Sequence, residues 1–403
     1  MRIRPLNLVY LTALCLSFSW GLFIPLYPVV LRSLGATPIA IGLAFTLFNA
    51  ISASLRLPFS YLADRLGKEK FMFWSCLVTG LASAIAVASI GVESLILAIS
   101  ILGIATALYY QTTYSLVADL TRGRRLGRAY SILNSMSQAG WLAAPLVAGF
   151  FMEANMLSFL FLAALISAIM ASLATKSLQR SSSTVVPREG EPLSKSLIKA
   201  LRMGWMIMVS ELLCGLAVGF FQPSASVFLN EVLMGSYDEV GAIFTIAGIA
   251  MLLAQYPGGF LIDRFGGHAL YAFSALASSI PLMLFSQSRM LIEAAFIMIL
   301  YYFITGFRWI SGDGMLAQHY PQELRTLAMG MTWALWRSGF AVGSLTCGFV
   351  WQGLGIRFTF IVSSALFVAA AIIAFKILAL RGRAKNLKEG YAISFTSFSP
   401  ASS

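Results

Sequence analysis

The chain of 403 residues is 59% hydrophobic and only 11% charged, whereas a soluble domain carries roughly 25% charged residues; this excludes a globule dispersed in water. Its net charge of +12 is large enough for a nucleic-acid partner, but the placement of the basic residues, given below, argues against one. Four cysteines, Cys15, Cys76, Cys214 and Cys347, stand singly in separate apolar stretches and show neither a metal-binding spacing nor a paired framework.

The apolar residues fall into about twelve runs of a length that crosses a bilayer as a helix, about 20 residues. Backbone groups in lipid must be satisfied internally, which leaves helices or closed barrels. Barrel strands would alternate over about 10 residues; these runs do not, so the chain reads as an all-α membrane protein. In order, the expected spans are 8–30, with Pro25 and Pro28 inside it, 39–63, 71–90, 94–118, 129–152 and 156–175. Residues 176–203 then break the pattern. They hold three consecutive serines, Pro187, Pro192 and clustered charge, and read as a linker with an interfacial helix over 193–202. Six further spans follow at 204–229, 237–262, 269–285, 290–316, 326–351 and 356–380. The tail from Arg381 is basic, then rich in serine, and its composition predicts disorder. The expected domains are therefore a first bundle (1–175), a linker (176–203), a second bundle (204–380) and a tail (381–403).

Twenty-two of the 28 Lys and Arg fall in segments on the side of the N-terminus, and three, Arg32, Arg289 and Arg357, in loops on the other side. This asymmetry places both termini in the cytoplasm of a cell-membrane protein. The basic excess is a topology signal toward the lipid bilayer.

The two halves repeat. At a constant offset of 199 residues, Gly42 meets Gly241, Phe45-Thr46 meets Phe244-Thr245, Pro58 meets Pro257, Asp64-Arg65 meets Asp263-Arg264, and Gly67 meets Gly266. A direct repeat with an even number of spans predicts two six-helix bundles related by an axis along the membrane normal, with a cavity between them.

Residues 60–68, Ser-Tyr-Leu-Ala-Asp-Arg-Leu-Gly-Lys, resemble the loop signature of the major facilitator superfamily, Gly-x-Leu-x-Asp-Arg-x-Gly-Arg/Lys, with Ser60 in place of the leading glycine. The second copy, Gly259 to Gly266, keeps that glycine and ends on Gly267 instead of a basic residue. The resemblance covers about residues 8–380 and implies a transporter of small solutes, by default a monomer. It implies gating roles for Asp64, Arg65, Gly67, Lys68, Asp263, Arg264 and Gly266, with Arg65 or Lys68 pairing to Asp119 in one arrangement of the bundles. Residues 140–149 resemble a span 5 pattern of the drug-antiporter branch at Gly140, Pro145 and Gly149, where small residues four apart allow close helix contact. An arginine that this branch carries in span 4 is absent near Gly103.

Five ionisable residues lie deep within spans: Arg56, Glu211, Arg308, Asp313 and Arg337. Such residues are functional candidates by default. Glu211 and Asp313 are candidate proton carriers. Arg308 and Arg337, with Gln138, Tyr109, Gln111 and Gln222, are candidates for a substrate cavity, because guanidinium binds carboxylate or phosphate in a fork. The competing reading pairs these arginines with Asp313 or Glu211. Arg56 fits either a gate or a side chain reaching for the interface.

The leading function is a secondary transporter working by alternating access, proton-coupled and selective for an organic anion or metabolite. The alternatives are a drug/proton antiporter and a non-transporting membrane sensor of the same fold. No phosphate-cradling loop of the Gly-x-x-x-x-Gly-Lys-Ser/Thr type occurs, no cofactor is implied, and no catalytic constellation points to an enzyme.

Overall fold

A computed structural model describes residues 5–88, 90–121, 126–179 and 193–396, without the side chains of Asp64, Gln111, residues 126–127, 179, 193–194, 322–323, 326 and 381–396. All regular structure among these residues is helical. The first bundle contains α1 (Pro5–Phe23), α2 (Tyr27–Ser33), α3 (Pro38–Leu66), α4 (Lys68–Ala88), α5 (Val92–Thr121), α6 (Leu126–Glu153) and α7 (Leu157–Gln179). The second contains α8 (Leu193–Val227), α9 (Tyr237–Phe265), α10 (Gly267–Gln287), α11 (Leu291–His319), α12 (Gln322–Leu354) and α13 (Ile356–Thr396). A π-helical turn, Phe228–Val232, ends α8.

Ten of the spans are long and apolar enough to cross a membrane by themselves. The remaining two, α6 and α12, occupy equivalent places in the repeat. Both face the opposite bundle, where polar residues can take positions that lipid would not tolerate. Large apolar side chains such as Phe150, Leu253, Phe260, Phe296 and Ile372 are exposed instead on the outer surface, as the hydrocarbon of a bilayer requires.

The repeat holds at the level of packing. Within the first bundle α1 packs on α6 and α7, α5 on α3 and α4, and α4 on α7; the equivalent helices pair in the same way in the second bundle. Between bundles α6 lies on α9, and α12 lies on α3. Close contacts along this seam gather at the end away from the chain termini. There Thr46 Oγ1 donates to the Ala341 carbonyl at 2.9 Å, and its counterpart Thr245 donates to the Leu142 carbonyl at 3.0 Å. The Tyr237 N–H donates to Glu153 Oε2 at 3.0 Å. Arg32 Nε meets Glu231 Oε1 at 2.9 Å; these two residues, 199 apart, are each other's repeat counterparts and pair across the pseudo-two-fold axis. Gly42 and Gly241 allow this approach: a Cβ on either would stand 2.4 Å from the Ser344 carbonyl oxygen or 2.3 Å from that of Pro145.

Three local features depart from the expected spans. The first span breaks between α1 and α2, because Pro25 and Pro28 have no N–H to continue the ladder and their rings crowd the preceding turn. The helix starting at Leu193 is joined to the seventh span through a break at Gly204 (φ −133°, ψ 27°). Tyr320 fixes that corner: its hydroxyl donates to the Ala200 carbonyl at 3.0 Å. The tail expected to be disordered from Arg381 is helical to Thr396. A preformed span supplies the nucleus, and the Arg, Ala, Lys, Leu and Glu that follow are good helix formers, so each residue adds a hydrogen bond without a new nucleation cost. The serine-rich end, 397–403, lies outside the described residues.

The seam predicts opposite outcomes for two glycines of α9. Gly241→Ala drives a methyl into the Pro145 carbonyl and should destabilise the closed end by about 1–3 kcal/mol. Gly259→Ala, with no atom within 4 Å of the new methyl, should be neutral or stabilising by up to about 1 kcal/mol. Thermal melting in detergent distinguishes them.

Candidate functional site

The five charges inside the spans sort into two groups. Arg308 on α11 is 1% exposed and its Nη1 lies 3.4 Å from Glu211 Oε2 on α8, so these two neutralise each other within the second bundle. Beside them the Tyr271 hydroxyl is shared between Ser210 Oγ and Cys214 Sγ, at 3.3 and 3.4 Å. Arg308 also stacks on Trp309, with its Cζ 4.9 Å from the ring centroid. Two of its nitrogens, Nε and Nη2, are buried without a hydrogen-bond partner. Asp313, five residues further along α11, is exposed. Glu211, Arg308, Asp313, Trp333 and Trp336 line one small cavity between α8, α11 and α12.

Arg56 and Arg337 form the second group. Arg337 on α12 reaches across the seam and donates from Nη1 to Asn49 Oδ1 on α3 at 2.7 Å. The geometry is set locally: Asn49 Nδ2 donates to the Phe45 carbonyl one turn back at 2.8 Å, which turns its oxygen toward the arginine. Arg56 lies two turns beyond Asn49 on the same face of α3 and is 3% exposed. Its guanidinium sits 5.4 Å from the Tyr110 ring and 5.8 Å from the Trp333 ring, within the range of cation–π attraction. The Nε atoms of both arginines are buried without a partner. Among the described residues no carboxylate forms an ion pair with either.

The other expected site residues are placed as follows. Tyr109 is buried with its ring edge-on to Trp20 at 5.1 Å, and Trp20 itself is tied to Thr79 by a 3.1 Å hydrogen bond; this is a packed aromatic corner. Its neighbour Tyr110 is the residue that meets Arg56. Gln138 and Gln222 are half-buried on α6 and α8, and the side chain of Gln111 is outside the described set. Gly140 packs on α1, where a Cβ would stand 2.3 Å from the Leu14 carbonyl, and Gly149 packs on α9 across the seam. Pro145, inside α6, offers its carbonyl to Gly241.

At the two Asp-Arg turns the glycines have a backbone reason. Gly67 and Gly266 take φ of +103° and +85°, values that side-chain-bearing residues rarely adopt, and each closes its helix with an N–H to the carbonyl of Ala63 or Ile262. Of the two basic candidates for Asp119, Lys68 makes the bond, at 2.6 Å, while Arg65 stacks on Tyr61 with its Cζ 4.5 Å from the ring. In the second copy the Gly267 N–H donates to Gln318 Oε1 at 3.1 Å. Gly267 and Gln318 are the counterparts of Lys68 and Asp119, so a neutral hydrogen bond stands where the first half has an ion pair. Both pairs tie helices of one bundle together; neither crosses the seam. Asp263 and Arg264 are exposed, and the Asp64 carboxylate is outside the described set.

Sequence reasoning misses Asn49, and gives Arg56 no substrate role. The seven-residue spacing of Asn49 and Arg56 would have placed them on one face, but nothing in the sequence tells which helix faces them.

A family model described as the Major Facilitator Superfamily matches residues 9–221 and again 207–400. The cis,cis-muconate transport protein of Acinetobacter baylyi is 25% identical over 257 residues, 59% of this chain and 61% of that protein, so the similarity spans about three fifths of its length. The quinolone resistance protein NorA of Staphylococcus aureus is 23% identical over 269 residues, 65% of this chain and 67% of that protein. The crystal structure of the nucleoside transporter NupG superposes with a TM-score of 0.75 at 14% identity, covering 93% of this chain and 99% of that one. A point mutant of the same transporter superposes with a TM-score of 0.77 at 13% identity, covering 92% and 99%. At such identities the likeness concerns the fold. Two family matches, one on each half of a helical repeat, make this chain a member of the Major Facilitator Superfamily of membrane transporters.

Proposed function

We propose that the protein carries a small organic anion across the cell membrane by alternating access, coupled to protons, with both termini cytoplasmic. One observation supports this above all: Arg56 is buried and Arg337 half-buried at the seam, the Nε of each is buried without a partner, and no carboxylate among the described residues neutralises them. An uncompensated buried charge costs several kcal/mol, a cost that an arriving anion offsets. The similarity to a muconate transport protein, named for an organic acid, points the same way. Arg308 has its counter-ion in Glu211, and this pair serves better as the proton-coupling site than as a substrate site. Asp313, on the cavity wall, is the second candidate carrier of the proton.

With the termini in the cytoplasm, the seam is sealed toward the outside and the cavity near Asp313 belongs to an inward-facing arrangement. The Lys68–Asp119 and Gly267–Gln318 contacts act as gating elements in this reading by keeping the inner ends of each bundle rigid while the bundles rock. The likeness to NorA supports a second reading, export of amphipathic compounds, for which the stacked Trp309 and Trp333 rings, 4.9 Å apart, would be the platform and Asp313 the counter-charge for a cation.

Purified protein in proteoliposomes should accumulate organic anions when a pH gradient is imposed and leave lipophilic cations behind; accumulation of the cations instead would overturn the anion reading in favour of export. Arg337→Gln removes a charge-assisted contact worth about 1.5–3 kcal/mol, so KM for the anion should rise by about ten- to hundredfold, with the size-exclusion profile of a folded protein. Glu211→Gln should lower the ratio of gradient-driven accumulation to equilibrium exchange. An unaltered ratio would remove Glu211 from coupling.

A further inference from the structure

We infer that the transported anion is a short dicarboxylate held at both ends, one carboxylate on Arg337 of α12 and the other on Arg56 of α3, so that the cargo itself bridges the two bundles. This rests on the anion reading above and narrows it to a substrate class.

The two guanidiniums belong to opposite bundles and approach the adjoining rings of Trp333 and Trp336. Arg337 is anchored at the level of Asn49 by a 2.7 Å bond. Arg56 stands seven residues along the same face of α3, about 10 Å further along the axis by helical rise. Trp333 links the two positions: its ring centroid is 5.8 Å from the Arg56 guanidinium and 5.9 Å from the ring of Trp336, which in turn lies 5.8 Å from the Arg337 guanidinium. The stretch between the two charges is flanked by the rings of Trp333, Trp336 and Tyr110, which suit an apolar or unsaturated carbon chain, and the buried indole N–H of Trp336 has no hydrogen-bond partner.

The charge balance decides the class. Glu211 is committed to Arg308, and Asp313, which lines the neighbouring cavity with Trp333 and Trp336, forms no ion pair with Arg56 or Arg337. Glu153, Glu231 and Glu239 are engaged at the sealed end, with the Tyr237 N–H, Arg32 and the Ser236 N–H respectively. A monocarboxylate would neutralise one arginine and leave the other without a counter-charge. A dianion neutralises both and gives each buried Nε a carboxylate oxygen, in the fork geometry that guanidinium favours. A single phosphate could take one arginine in the same way but has no reach to the second.

The test compares uptake of succinate, adipate and cis,cis-muconate, each beside its monomethyl ester, by wild-type proteoliposomes. At least one dicarboxylate should show a KM about tenfold or more below that of its half-ester, matching the loss of one charged contact. Arg56→Gln should collapse that ratio toward one, and Arg56→Lys should retain part of it; size-exclusion profile and melting temperature identify any variant that fails to fold, and the wild-type comparison stands without them. Equal handling of dicarboxylates and half-esters by the wild type would overturn the two-ended grip and leave the anion reading in place. Absence of uptake of every acid and half-ester, with lipophilic cations transported, would overturn both.

Discussion

The seam between the bundles depends on backbone meeting backbone. Where α3 lies on α12 and α6 on α9, Gly42 faces the Ser344 carbonyl and Gly241 faces that of Pro145, at distances no side chain could share. That closeness brings the Thr46 and Thr245 hydroxyls within reach of carbonyls on the other bundle. It also brings Asn49 within reach of Arg337. In lipid there is little hydrophobic drive for helices to associate, so small residues and interhelical hydrogen bonds carry the association. The location of the charged site follows from that contact: Arg56 and Arg337 face the same Trp333–Trp336 wall because α3 and α12 cross so near.

Structure and chemistry divide along the repeat. The close backbone approaches and threonine bonds of the seam lie where the halves agree: Gly42 with Gly241, Gly149 with Gly348, Thr46 with Thr245. Every charge inside the spans lies where they differ. Arg56 faces Gln255 in the alignment of halves, Glu211 faces Thr12, Arg308 faces Tyr109, Asp313 faces Tyr114, and Arg337 faces Gln138. Symmetric contacts give two bundles that can rock as equivalent bodies. Asymmetric charges let one face of the cavity hold a pair of guanidiniums while another holds a neutralised Glu–Arg pair. The Arg32–Glu231 bond joins the two principles, since opposite charges at one repeat position attract across the axis where like residues would repel.

This division also explains what could be read in advance. Span number, the repeat offset and the turn glycines were legible because each is local or periodic: a run length, a register, a positive φ. The Lys68–Asp119 bond was legible as one of two options, and the sequence had no means of showing that Arg65 would stack on Tyr61 instead. Arg308 looked like Arg337 in the sequence, each a lone guanidinium in an apolar run; only the crossing of α8 and α11 shows that Glu211 neutralises one and not the other. The tail misled for a different reason. Composition reports on a segment alone, and residues 381–396 extend a helix already nucleated.

The energetics of the sealed end fit a carrier that must open it in every cycle. An exposed ion pair such as Arg32–Glu231, with side chains 36% and 41% exposed, contributes about 0–1 kcal/mol, and each cross-seam hydrogen bond about 0.5–1.5 kcal/mol net. In the proposed reading the opposing term is the lack of a counter-charge on Arg56 and Arg337, which face each other from opposite bundles while the site is empty. A ligand shifts such an equilibrium only by binding one arrangement better than the other. A bridging anion does so directly, because it pairs with a guanidinium on each bundle and so links the two. The same residues then serve recognition and movement, and no separate device is required to report that the site is filled.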